Sequence, residues 1–538
     1  PTTTTAQLRR DGQRRADVRP RLQLDPDDTS PARVTEDDIR RRIAETLDLG
    51  ANLLRVWGGG VFESEEFYRA CDEAGILVCR TSFSPARPIR GGTFTSEGGG
   101  GGAREHHPAD AAYEPRPVER QQREPVVWFL HDWEHKLDGA TWGESFYVDL
   151  LPRLVAELDP ARTYLIGSPS SGGRWDDPND PTRGVVHWWI PDDYRAYDDV
   201  RPRFVSEFGF QGPPARSTFD AVVHDEALAP FSPAPCSGRR PRAAPSSIND
   251  VLDAHFGVPS DFDQWYWLAQ LDQARAVRYG VERFRTLEPY CRGTIVWQLN
   301  DCWPALSWSM IDVADRYKPV AYAVREAYRP RIVVLRHESD GPTLFACNST
   351  PDAWEVAVDV QRWTRGERSG RAVMTARVAP HTAAPVPLGD LAAGLAGDEL
   401  LVATVEETDA AAPRAARPSR SILLGMTDRD YPDEPATFEV QISPTADGVE
   451  VRLTAETLLR DAALLVDELD PDAHAERNLE TILPGETVAW SIRTLVPAAF
   501  TEEAVYAAVR TAHAATRPDE AYRGLAQLEA EKRAAAST

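Results

Sequence analysis

The amino-acid sequence predicts an α/β protein: an incomplete (β/α)8 TIM barrel followed by two small all-β sandwiches of immunoglobulin-like type. Three observations carry this. Residues 35–330 alternate helical and strand patterns, the mark of a parallel α/β architecture. From about 331 the texture changes to alternating Val, Leu and Arg with Gly, Pro and Asp turns, in two stretches, 331–427 and 428–510. Within the first part, several chemically active side chains follow directly on strand ends, where barrel enzymes keep their chemistry.

Taken in order, Thr35-Glu-Asp-Asp opens a helix with a capping-box-like start, and its apolar positions run to Leu47. Asn52-Leu-Leu-Arg-Val-Trp reads as a buried strand and Gly58-Gly-Gly as the loop after it. Glu65 to Ala74 is the next helix, stopped at Gly75, and Ile76-Leu-Val begins another strand. Further βα repeats follow as helix 144–158, strand 203–207, helix 265–287 and strand 293–299. Residues 511–538, rich in Ala, Glu and Arg, form a tail.

A chain of 538 residues predicts two to four domains. The net charge of -24 argues against nucleic acid and against an anionic membrane surface as partners. No run reaches the roughly 18 apolar residues of a spanning helix, and a cytoplasmic location is expected. The six cysteines show no CxxC spacing, and His131, His135 and His187 fall into no ligand pattern, so neither a metal site nor a disulfide framework is expected. Fifteen tryptophans are many, and flat apolar rings suit sugar faces. The most informative residue is Glu207, in Phe204-Val-Ser-Glu-Phe-Gly-Phe-Gln-Gly-Pro-Pro. There a short apolar run ends in a carboxylate, and Gly209 lets the backbone turn away. Glycoside cleavage uses two such carboxyl groups.

Four segments together resemble the β-mannosidases of glycoside hydrolase family 2. They are Asn52-Leu-Leu-Arg-Val-Trp-Gly-Gly-Gly-Val-Phe-Glu with Cys71-Asp-Glu-Ala-Gly-Ile-Leu-Val, and Phe204-Val-Ser-Glu-Phe-Gly-Phe-Gln. Gln270-Leu-Asp-Gln-Ala-Arg-Ala-Val-Arg-Tyr-Gly-Val-Glu and Gly293-Thr-Ile-Val-Trp-Gln-Leu-Asn-Asp-Cys-Trp-Pro complete the set. The resemblance covers about 31–78, 128–233 and 248–330, and it implies a sugar-binding jelly roll and a first sandwich ahead of the barrel, which this sequence does not include. It implies Glu207 as the nucleophile of a retaining, cofactor-free mechanism, with Arg55 beside it as the opposite charge that keeps it ionised. Trp297 is implied as a sugar platform with Asn300, Asp301 and Trp303 nearby, and Trp57 and Trp188 as further substrate contacts. β-Mannosides or manno-oligosaccharides are the implied substrates. A β-galactosidase or β-glucuronidase relative, and a non-catalytic carbohydrate-binding remnant, are the alternatives.

The family pattern breaks over 79–125, where Trp-Gln-Asp-Phe and the acid/base motif Asn-Asn-Glu-Asn are missing and five glycines run from Gly98 to Gly102. An out-of-frame reading accounts for this. Glu119-Arg-Gln-Gln-Arg-Glu-Pro can be encoded GAA CGG CAA CAA CGA GAA CC, and one base later the letters read Asn-Gly-Asn-Asn-Glu-Asn. Similar shifts at Gln23-Leu-Asp-Pro, Cys79-Arg-Thr-Ser, Gly98–Asp110 and Pro235–Ala244 recover family-like segments. On this reading the chain as written lacks its acid/base glutamate, with Glu124 nearest its place. Residues 1–30, 79–125 and 235–247 are then expected to be loops or disordered, because Gly- and Arg-rich sequence buries too little surface to offset its ordering entropy.

Overall fold

The computed structural model describes residues 19–25, 27, 31–58, 60, 62–81, 118–119, 146–161, 163–173, 176–189, 193–224, 247–259, 261–405, 418–432 and 436–512. The chain divides into two compact units. The first comprises Pro1–Trp189, Asp198–Gly209 and Leu287–Cys302; the second comprises Ile190–Tyr197, Phe210–Thr286 and Trp303–Thr538.

The first unit is built on one parallel sheet. Its strands are β1 (Arg19–Leu24), β2 (Leu53–Val56), β3 (Leu77–Thr81), β4 (Val118–Glu119), β5 (Val186–His187), β6 (Val205–Phe208) and β7 (Gly293–Val296). They lie in the order β4-β3-β2-β1-β7-β6-β5, so the first and last strands in sequence are hydrogen-bonded neighbours. Strands β2, β6 and β7 are buried at every position, as expected of parallel strands covered on both faces. Helix α1 (Glu36–Asp48) starts at a capping box between Thr35 and Asp38. Helix α2 (Glu65–Ala74) is capped by Ser64 and ends at Gly75, whose φ of 72° is the left-handed conformation glycine adopts freely. Helix α3 (Leu151–Leu158) follows a π-helical turn over Phe146–Leu150.

In the second unit, the helices are α4 (Arg216–Asp220), α5 (Ser247–Phe256), α6 (Phe262–Thr286) and α7 (Pro319–Ala327). Helix α6 is buried on nearly every face, with Trp265, Trp267, Leu268 and Leu271 in one apolar cluster with Phe219 and Phe256. Residues 331–424 form a four-stranded and a three-stranded antiparallel sheet sharing one core, in which Val333 and Leu344 meet Val358 and Leu401. Residues 438–510 repeat the plan with four- and three-stranded antiparallel sheets around the fully buried Trp490.

Most predicted elements lie where the patterns put them, with ends shifted by a few residues. Helix 144–158 is the exception, since α-helical geometry begins only at Leu151. Two expectations are corrected. The 1–30 segment is not all loop: Arg19–Leu24 forms a strand between β2 and β7, with Leu22, Gln23 and Leu24 buried. The expectation averaged composition over 30 residues, whereas a Leu-Gln-Leu run needs only one vacant place between two parallel strands to satisfy its backbone. Within 79–125, strand β3 continues through Cys79 and Arg80 to Thr81, and Val118–Glu119 pairs with it. Residues 82–117, the stretch 235–246 and the tail from 513 lie outside the described residues.

Candidate active site

Glu207 is the third residue of β6 and is almost wholly buried, at 4% exposure. Arg55 is the third residue of β2 and is fully buried. Three strand spacings separate β6 from β2, about 14 Å across a flat sheet. Yet Arg55 Nη1 donates to Glu207 Oε1 at 2.7 Å. The sheet is therefore rolled, bringing its distant strands face to face across the interior.

Strand register supplies the other partners. Gln23 of β1 pairs with Arg55, and its Oε1 accepts a second bond from Arg55 Nη1 at 2.6 Å. His187 of β5 pairs with Glu207, and its Nδ1 lies 3.2 Å from Glu207 Oε2. The other ring nitrogen, Nε2, lies 2.9 Å from Ser168 Oγ. Ser168 Oγ also accepts from Arg55 Nη2 at 3.3 Å and donates to Ser206 Oγ at 3.0 Å, which in turn donates to Val186 O. Burial, and then the Arg55 charge, hold the His187 pKa well below the usual imidazole value, so the ring is neutral.

Aromatic side chains follow the same strand ends. Trp57, just after β2, meets Trp297, just after β7, edge to face at 5.3 Å between ring centroids. Trp189 meets Trp297 at 6.2 Å. Its neighbour Trp188 donates its backbone N–H to Glu207 O at 2.8 Å. The sequence singled out Trp188 of this Trp-Trp pair, whereas it is the Trp189 ring that meets Trp297. Asn300 is buried and engaged with the backbone after β1, exchanging bonds with Asp25 N (3.3 Å) and Asp25 O (3.2 Å). Asp301 accepts from Gln298 Nε2 at 3.2 Å. Trp303 belongs to the second unit and is 37% exposed. Glu124, His131 and His135 lie outside the described residues.

Sequence reasoning missed Gln23 and Ser168 and weighed His187 only as a metal ligand, because nothing in their local spacing marks them; only the tertiary fold brings them to Arg55 and Glu207. It also passed over Glu63, in the segment after β2. Burial and then the charge of Asp27 push that carboxyl up to about 7, against the opposing charge of Arg80. No group of three or more His, Cys, Asp or Glu side chains among the described residues is arranged to hold a metal ion. Among the described residues no helix is long and apolar enough to cross a membrane. A cavity of about 510 Å³ lined by Tyr194, His255, Arg275, Tyr279, Arg420 and Asp461 lies in the second unit and holds none of the sequence-predicted residues.

Sequence and structure comparisons show what the chain is similar to. β-Mannosidase B of Aspergillus flavus is 30% identical over 317 residues, covering 53% of this chain and 36% of the relative. The crystal structure of a β-D-mannosidase from Dictyoglomus thermophilum superimposes with a TM-score of 0.77 at 23% identity, covering 92% of this chain and 60% of that one. The chain resembles β-mannosidases. An exo-chitosanase from Amycolatopsis orientalis shares the fold at a TM-score of 0.64 and 14% identity, covering 93% of this chain and 63% of its own. No protein-family model matches the chain. The chain spans well under half the length of the curated relatives it matches.

Chemically, the site offers one buried carboxylate with Arg55 donating to one oxygen and the His187 ring against the other, beside a set of indole rings. Arg55 is a fixed cation 2.7 Å from one carboxylate oxygen, and the neutral His187 ring lies 3.2 Å from the other, so the carboxylate is held in one orientation. A carboxylate so oriented can attack an electrophilic carbon, and the indoles offer apolar faces of the kind sugar rings stack on.

Proposed function

We propose that this chain carries the catalytic region of a retaining exo-β-mannosidase, with Glu207 as its nucleophile. The observation that supports this best is the Glu207–Arg55 pair at 2.7 Å on strands three places apart, beside the Trp57–Trp297–Trp189 rings. In this reading the parallel sheet is a (β/α)8 barrel with its site at the strand C-termini, and the two β regions are immunoglobulin-like sandwiches. Glu207 attacks the anomeric carbon of a terminal β-mannoside as the bond to the aglycone oxygen breaks, forming a glycosyl ester that water then hydrolyses. Trp297 and Trp57 line the sugar, and Arg55 and His187 orient the carboxylate. No cofactor takes part.

Departure of a poor leaving group needs a proton from a second carboxyl about 5–5.5 Å from the first. In our reading the out-of-frame stretch around Glu124 has removed that acid. The protein therefore cleaves aryl mannosides with acidic phenol leaving groups and is slow on alkyl mannosides. Two measurements test this. Incubation with 2-deoxy-2-fluoro-β-mannosyl fluoride should add one fluoromannosyl group to the peptide holding Glu207, and labelling elsewhere or none at all overturns the nucleophile assignment. A leaving-group series read as kcat/KM should fall steeply with leaving-group pKa; a flat series shows that an acid is present. Saturable mannose binding with no turnover of any mannoside supports the carbohydrate-binding remnant instead. Independent resequencing of codons 1–250 decides whether the shifted segments belong to the gene.

A further inference from the structure

Arg55 is gripped from more than one side. Its Nη1 donates both to Glu207 Oε1 (2.7 Å) and to Gln23 Oε1 (2.6 Å), and its Nη2 donates to Ser168 Oγ (3.3 Å). Gln23 is fully buried on β1 and pairs in register with Arg55. Its backbone carbonyl accepts from Leu299 N at 2.8 Å, and its side-chain Nε2 donates to Leu24 O at 3.2 Å.

These bonds leave the Gln23 amide one orientation. Turned over, it would set N–H hydrogens against a guanidinium that has only hydrogens to offer. A guanidinium is planar, and the two hydrogens on Nη1 diverge at a fixed angle within that plane. An acceptor on one of them therefore sets where the other points, and here the other points at Glu207 Oε1. The acceptor is also neutral. A carboxylate in its place would hold Arg55 as firmly but would share its charge, and Glu207 would then protonate more easily.

Resting on the nucleophile reading of Glu207, we infer that Gln23 is a positioning residue: its amide oxygen aims the Arg55 guanidinium at the attacking carboxylate without drawing on its charge. Two substitutions separate aim from charge. Gln23→Leu removes the acceptor, whereas Gln23→Glu keeps it and adds a second carboxylate to the same cation. Arg55 from β2 and His187 from β5 face the Glu207 carboxyl in all three proteins alike, so a difference in pH response between them belongs to position 23.

The test is the rate at which 2-deoxy-2-fluoro-β-mannosyl fluoride labels Glu207 in the full chain, followed against pH. Gln23→Leu should slow labelling about ten- to hundredfold, the range for one hydrogen bond to a charged group, and leave the acid limb of the profile in place. Gln23→Glu should keep the plateau rate and move the acid limb up by about one pH unit. An undiminished rate in Gln23→Leu overturns the inference, as does an equal slowing by both substitutions, which is what a merely structural role gives. Where Gln23→Leu fails to fold, the acid limb of Gln23→Glu decides alone. A crystal structure of Gln23→Leu without sugar should show the guanidinium turned away from Glu207 Oε1, and an unmoved Arg55 overturns the inference. That arm needs no substrate, so it stands even if the unmodified protein takes no label, the result that sinks the nucleophile reading.

Discussion

Replacing His255 by Gln should remove a block of pH-dependent stability from the second unit. His255 lies on α5 with Nδ1 3.0 Å from Asp272 Oδ1 and Nε2 3.3 Å from Asp193 Oδ1. Burial works against the charged ring, but hydrogen bonds to Asp193 and Asp272, and their charges, outweigh it and raise the pKa to about 9. The neighbouring Tyr194, whose ring centroid lies 4.4 Å away, does not titrate in this range, because burial and then the Asp272 charge push its phenol well above 10. The displacement from an ordinary 6.5 to about 9 corresponds to about 3 kcal/mol. Asp193 is about one-third exposed, so solvent screens its half of the clamp and we expect about 2 kcal/mol. The folded pKa is raised, so this stabilisation is complete below about pH 6.5 and disappears as pH climbs through 9. Amide exchange of peptides from 193–197 and 247–286, corrected for intrinsic rates, reads it locally without assuming one cooperative transition. Protection should fall by about thirtyfold between pH 6.5 and 10 in the unmodified protein and stay nearly level in His255→Gln. An equal fall in both proteins would refute the argument.

Three further outcomes follow from the first unit. Glu63→Gln should stabilise the protein by up to about 3 kcal/mol at pH 8 and by little at pH 4, since the raised carboxyl pKa of about 7 costs stability only once the group ionises; urea midpoints at the two pH values check this. Arg55→Met should destabilise by about 3–5 kcal/mol, because it leaves Glu207 buried without its cation, and should abolish fluorosugar labelling. Gly184→Ala should cost at least about 2 kcal/mol, measured by denaturant unfolding, since φ there is +62° and an added Cβ would lie 1.9 Å from Ser170 O. Strain at that point pulls on the Ser170–Val185 bridge, next to both Ser168 and His187.

Local sequence was enough for the elements that punctuate themselves. Thr35 with Asp38, and Ser64 with Gly75, announce the ends of α1 and α2 through side chains and a backbone conformation that need no tertiary partner. The switch from βα repeats to alternating strands near 331 was likewise visible, because the period of burial changes with the architecture. Glu207 stood out for a related reason: it is a carboxylate closing a short apolar run, which costs free energy unless a partner awaits it, while Arg55 was implied by the family resemblance.

What the tertiary structure alone decided is which residues answer those charges. Gln23 and His187 reach Arg55 and Glu207 through register across strand pairs, and register is invisible in any one strand. Ser168 lies 39 residues before Glu207 in sequence and on none of the seven strands, yet it meets both Arg55 and His187. The β1 strand shows the same limit from the other side: Arg19–Leu24 is poor in the signals of a strand, and the place between β2 and β7 makes it one. Sequence named Glu207 because a charge ending an apolar run is a local anomaly; the fold named its partners because pairing is a property of the rolled sheet.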